Sequence, residues 1–185
     1  MKILLMGGPG SGKGTQAKIL KDMYNIAHIS TGDILRAERA NGTELGVLAQ
    51  SYMDKGELVP DGVIIDMVKN RVAQPDCSGG YILDGFPRTT AQAEAMQIGG
   101  IDIDIAILLE VPDEIMSFRM KGRAEKEGRS DDADPAIIAN RIATYHEQTA
   151  QVKKVYEALG KLAVVDGSVS PEATLEQVQP LLDAL

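Results

Sequence analysis

The chain has 185 residues, 44% of them hydrophobic, and a formal net charge of -8. That length suits one domain with a substantial core, and no apolar run approaches what a bilayer crossing requires. The acidic balance argues against nonspecific binding to nucleic acid or an anionic membrane, and the single cysteine, Cys77, excludes an internal disulfide or a thiolate-rich zinc site.

The opening apolar run, 3–6, reads as a strand and passes straight into glycines, leaving no room for a cleavable signal, so a cytosolic protein is expected. Gly7-Gly8-Pro9-Gly10-Ser11-Gly12-Lys13-Gly14-Thr15 follows, and 15–24 reads as a helix. A glycine loop between strand and helix can turn backbone N–H groups inward, and the helix N-terminus adds partial positive charge, so an oligophosphate fits. Lys13 supplies a mobile charge for the outer phosphates. The slot after Lys13, usually Ser or Thr on magnesium, is Gly14, and the hydroxyl comes one residue later at Thr15. An ordinary glycine-rich turn needs neither that many glycines nor a lysine there.

Further along, 26–30 reads as a short strand, and Thr31 or Asp33 as lying near the cap of a helix over 34–40 that Asn41-Gly42 ends. A helix over 44–55 stops at Gly56, Leu58-Val59-Pro60 is extended, and Asp61 caps a helix over 61–72. Tyr81–Asp84 is a buried-type strand ending in an acid, a candidate Walker-B residue for magnesium or its waters. After a helix over 90–96, the run 103–111 reads as another central strand. Pro112-Asp113-Glu114 opens a helix whose apolar positions are expected at Ile115, Phe118 and Met120. The polar run 124–132 has arginines at both ends, which suits a phosphate-closing lid. Asp134-Pro135 caps a single long helix expected over 135–159, Leu162–Asp166 is the last strand, and Ser170-Pro171 begins the closing helix.

Strands alternating with helices imply a parallel sheet covered on both faces, with ligands at the carboxyl ends of its strands. Gly7, Asp84 and Asp166 all follow strand ends and should share that edge. The two histidines, His28 and His146, are too few for a metal site of their own. Six of the eight arginines lie in or beside these motifs: Arg36, Arg88, Arg119, Arg123, Arg129 and Arg141. Converging on one cleft, they could hold a highly anionic small ligand.

With these segments placed, nearly the whole chain resembles the adenylate kinase family of nucleoside monophosphate kinases, in its short-lid form. The resemblance rests on Gly7 to Gln16, Ser30-Thr31-Gly32-Asp33-Ile34-Leu35-Arg36, Leu83-Asp84-Gly85-Phe86-Pro87-Arg88-Thr89, Arg119 with Arg123, Gly128-Arg129-Ser130-Asp131-Asp132, and Arg141 followed by Tyr145. It implies a three-layer α/β fold of the P-loop NTPase type around a five-stranded parallel sheet. An NMP-binding subdomain at 30–59 and a lid at about 122–132 would be inserted in that single domain. It also implies reversible transfer of the γ-phosphoryl of ATP to AMP, giving two ADP, by a monomer.

By resemblance, Gly8, Pro9, Gly10, Ser11, Gly12, Lys13, Gly14 and Thr15 hold ATP phosphates, Arg119 stacks on the ATP adenine against Gly167 and Val169, and Arg123 joins them. AMP falls to Thr31, Arg36, Glu57, Leu58, Val59, Gly85, Phe86, Arg88 and Gln92. Lys13, Arg88, Arg123, Arg129 and Arg141 surround the transferred group, the last two also on the AMP side. Asp84 with Asp33 orders the waters of Mg2+, and the short lid lacks the zinc-bearing form. Thr31 and Gln92 match the adenine-reading positions; a UMP/CMP kinase and a nonenzymatic nucleotide switch stand as alternatives. Between Arg129 and Arg141 the spacing is one residue longer than the family's, with Pro135 inside it. Either the extra residue is absorbed before the helix cap, or a neighbouring side chain takes the role of Arg141.

Overall fold

A computed structural model describes residues 1–129 and 132–185. Ser130 and Asp131 of the lid motif lie outside the described residues. The elements in order are β1 (Lys2–Met6), α1 (Lys13–Tyr24), β2 (Ala27–Ser30), α2 (Thr31–Ala40), α3 (Glu44–Met53), α4 (Asp61–Val72), β3 (Tyr81–Asp84), α5 (Thr90–Ile98), β4 (Ile105–Glu110), α6 (Asp113–Glu127), α7 (Pro135–Thr144), α8 (Val152–Ala158), β5 (Leu162–Asp166) and α9 (Pro171–Asp183).

The strands form one parallel sheet in the order β2-β3-β1-β4-β5, with β1 at its centre. Alternate side chains of a strand point to opposite faces. Leu4 and Met6 therefore join Ile29, Leu83, Leu108 and Tyr156 in one apolar layer, while Ile3 and Leu5 join Leu20, Ile82, Ile107 and Val178 in the other. Burying each such side chain contributes roughly 1.5–3 kcal/mol. Leu35 of α2, Ala49 of α3 and Val59 belong to the first layer, which ties the segment after β2 to the sheet. Since the strands run parallel, the residues after β1, β3 and β5 all emerge at one edge. Among the described residues no helix is long and apolar enough to cross a membrane.

Three expectations need correction. Asp61 does not cap α4: Pro60 is its N-cap, and the Asp61 carboxylate accepts from Thr89 and Gln92 instead. The helix expected over 135–159 is broken by a π turn at Tyr145–Thr149, where the Ala150 N–H donates to the Tyr145 carbonyl at 2.8 Å. One residue inserted into a helical ladder hardly disturbs the apolar spacing on either side, so periodicity cannot reveal it. Phe118 does not fill an apolar position of α6. Met116 and Met120 are buried, and Phe118, two residues from each, points away from the core and is 78% exposed.

Candidate functional site

β1 delivers the chain to the centre of the sheet edge, and the loop from Gly7 to Gly12 turns it into α1. Gly10 and Gly12 have φ of +78° and +97°, and a Cβ on Gly10 would lie 2.7 Å from the Met116 carbonyl oxygen. Only glycine fits there. Gly12 is the N-cap of α1, whose first turn carries no acidic residue of its own to offset the positive end of that helix. Lys13 folds back over the loop: its Nζ donates to the carbonyls of Gly7 and Gly8, both at 2.7 Å, and to Ser11 Oγ at 3.2 Å. Burial, with the charges of Arg88, Arg123 and Arg141, lowers its pKa to about 8 against the opposing pull of Asp84.

Asp84 closes β3 beside this loop; its Oδ2 lies 3.7 Å from where a Cβ on Gly14 would stand. Burial raises its pKa, but the contact with His28 Nε2 at 3.4 Å and the charges of Lys13 and Arg88 outweigh that, so its carboxyl stays below the usual range. Asp33, at the start of α2, accepts from Arg36 at 2.5 Å and has Arg129 at 3.7 Å. Burial raises its pKa too, and the two arginines more than reverse it.

The turn after β3 is held from several sides. Thr31 Oγ1 and Arg88 Nε both donate to the Gly85 carbonyl, at 2.9 and 2.8 Å. Gln92 is buried, its Oε1 accepting from the Arg88 N–H at 2.7 Å and its Nε2 donating to Asp61 Oδ1 at 2.8 Å. Thr89 Oγ1 donates to the other Asp61 oxygen at 3.1 Å. Asp61 thus ties the first turn of α4 to the N-terminus of α5, and through Gln92 it sets the backbone that carries Arg88.

Opposite this turn, Arg123 of α6 and Arg141 of α7 meet on one carboxylate. Asp132 has no exposed surface; it accepts from Arg123 Nε at 2.6 Å on one oxygen and from Arg141 on the other. Between Arg129 and Arg141, Asp134 caps α7 by accepting from the Ala136 N–H at 2.7 Å. Arg129 Nε donates to Glu127 at 2.7 Å. At the far end, Arg119 donates to the carbonyls of Gly167 at 2.7 Å, Ser168 at 2.9 Å and Val169 at 3.2 Å, which fixes the turn after β5 against α6.

The glycine loop, Lys13, Asp33, Asp84, Arg88, Gln92 and the lid-side arginines line one cavity of about 970 Å³, the upper end of what small-molecule sites occupy. Every residue assigned above to nucleotide, phosphate or metal lines it except Gly8. A Cβ on Gly8 would run into Met116 Sδ and the Tyr145 ring, so Gly8 backs onto α6 rather than the cavity. Sequence reasoning assigned no role in the site to Asp61, Asp132, His28 or Phe118. Asp61 and His28 act through partners distant in the chain, which no local pattern announces, and Asp132 joins arginines nine residues to either side of it. Among the described residues no group of three or more His, Cys, Asp or Glu side chains is placed to hold a metal.

A family model described as adenylate kinase matches residues 5–161. The chain is similar to proteins named adenylate kinase from Leptospira biflexa serovar Patoc (48% identical, covering 92% of this chain and 94% of the relative), Synechococcus sp. strain JA-2-3B'a(2-13) (48%; 98% and 96%) and Lachnoclostridium phytofermentans (44%; 98% of each).

Proposed function

This chain belongs to the adenylate kinase family, and on that footing we propose which of its residues carry each half of the transfer. The activity is that of a nucleoside monophosphate kinase: the γ-phosphoryl of ATP passes reversibly to AMP, giving two ADP. The observation that carries the assignment is Lys13, on which Arg88, Arg123 and Arg141 all act within one continuous cavity.

The donor half runs from Arg119, Gly167 and Val169 to the loop from Gly8 to Thr15, and the acceptor half from Thr31, Arg36, Glu57, Leu58 and Val59 to Gly85, Phe86 and Gln92. Both meet at Lys13. Charge on a phosphoryl in flight is spread over its equatorial oxygens, so catalysis is mostly alignment and neutralisation. Arg88, Arg123, Arg129 and Arg141 supply planar forks for that purpose. Asp132 holds two of these forks in place before substrate arrives, which removes reorganisation from the reacting step. Lys13 brings its ammonium to the junction by donating to loop carbonyls, acceptors whose place phosphate oxygens then take.

An ionised, buried oxygen donor abutting the phosphate loop fits a magnesium ion that keeps most of its waters, so Asp84 is assigned to it. Asp33, which lines the same cavity, would order those waters from the acceptor side. Bound Mg2+ neutralises charge between the phosphates of ATP. The 30–59 segment and the 122–132 lid act as the mobile parts of a single domain. The protein works as a cytoplasmic monomer on ATP, AMP and ADP, without nucleic acid or membrane.

Adenine is the acceptor base. Gln92 still has one amide hydrogen and one lone pair beyond its bonds to Asp61 and Arg88, a donor and an acceptor together for the adenine edge. Competition among AMP, UMP and CMP as acceptors tests this: AMP should be phosphorylated in clear preference, and equal or better turnover of UMP or CMP would assign the chain to pyrimidine acceptors.

A further inference from the structure

Of the two phenylalanines in the chain, Phe86 is buried and Phe118 is 78% exposed. An exposed phenylalanine alone means little, since single apolar side chains are common on surfaces. Phe118, however, is part of the wall of the nucleotide cavity, next to Arg119. Arg119 is committed to three carbonyls of the turn after β5, so its guanidinium plane is fixed in place. One turn on from Phe118 along α6 comes Gly122, which also lines the cavity. A Cβ there would have no atom within 4 Å. Residues four apart share a helix face, so the bare backbone at Gly122 leaves a gap beside the Phe118 ring.

The rim of the donor end therefore combines an exposed ring, a fixed guanidinium and an open slot. A flat, apolar-faced group is what such a slot takes, and on the donor reading above the group at this end is the base of ATP. The geometry points to Phe118 as a binding contact for the donor base, an aromatic wall that covers the purine while the glycine loop holds its phosphates. The inference rests on the donor assignment of the Arg119 end. Stacking on an aromatic side chain is tolerant of base identity and is lost on truncation to alanine. It contributes nothing to the binding of a ligand without a base.

The test is calorimetric titration of wild type, Phe118→Ala and Phe118→Tyr with ATP and, separately, with inorganic tripolyphosphate. Phe118→Ala should bind ATP about tenfold more weakly, bind tripolyphosphate within about twofold of wild type, and be restored for ATP by Phe118→Tyr. Unchanged ATP affinity in Phe118→Ala overturns the proposal, as does an equal loss for both ligands, which would mark a general disturbance of α6. Turnover separates this failure from that of the site reading. Wild type that makes ADP from ATP and AMP while Phe118→Ala binds ATP normally sinks only the Phe118 contact, whereas wild type without turnover sinks the nucleotide assignment itself.

Discussion

Asp132, with no exposed surface, accepts a hydrogen bond from Arg123 at 2.6 Å and spends its second oxygen on Arg141. Truncating the acid leaves two guanidinium groups facing each other, and breaking a buried pair by removing one partner is strongly destabilising. Both arginines keep an opening to the cavity, so Asp132→Ala should lose about 2–4 kcal/mol in urea unfolding, a little below the fully buried range. Saturating ADP should recover part of that loss by supplying phosphate oxygens in place of the carboxylate.

Lys13 has a pKa of about 8 in the protein without nucleotide. Below that value the ammonium is present for phosphate; above it, binding must first take up a proton. A bound polyphosphate raises the pKa again, so affinity falls as pH rises through 8. ATP affinity should be flat from about pH 6.5 to 7.5 and drop by up to about tenfold per pH unit above 8. Lys13→Met should bind weakly with no such inflection, as read by titration across the same range.

Asp61 touches no residue assigned to ATP, yet its carboxylate holds both Thr89 and Gln92. Asp61→Ala leaves the Gln92 amide without its acceptor and loosens the backbone at Arg88. Steady-state kinetics should show KM for AMP raised roughly tenfold, with KM for ATP within about threefold.

Arg88 donates through Nε to the Gly85 carbonyl while its side chain lines the cavity. A lysine keeps the charge but has neither the planar fork nor a second nitrogen to anchor. Arg88→Lys should therefore lose roughly a hundredfold in kcat despite conserving charge. Near-normal turnover would count against direct clamping of phosphate.

The sheet was legible because its strands are short apolar runs bounded by glycine and acid, and the loop from Gly7 to Thr15 marks the sheet edge by composition alone. The residues lining the cavity were legible as motifs, since a turn such as Gly85-Phe86-Pro87-Arg88 stands in consecutive residues. Phe118 was misplaced because its neighbours Met116 and Met120 are buried and hydrophobicity alone cannot say on which side of the helix a third apolar residue stands. The π turn at Tyr145–Thr149 hid inside an unbroken apolar rhythm. Asp61 and His28 act across gaps of 31 and 56 residues, on Gln92 and Asp84 respectively, and only the folded sheet brings those pairs together.

The central claim is that Lys13 stands where donor and acceptor phosphates meet. ADP formation from ATP and AMP with magnesium, followed for wild type and Lys13→Ala at saturating nucleotide, tests it most directly. Wild type should yield two ADP for each AMP consumed, and the variant should be slowed by at least about a hundredfold in kcat. A variant that turns over within about fivefold of wild type would contradict the account, because a phosphoryl transfer centred on that ammonium cannot proceed nearly unchanged without it.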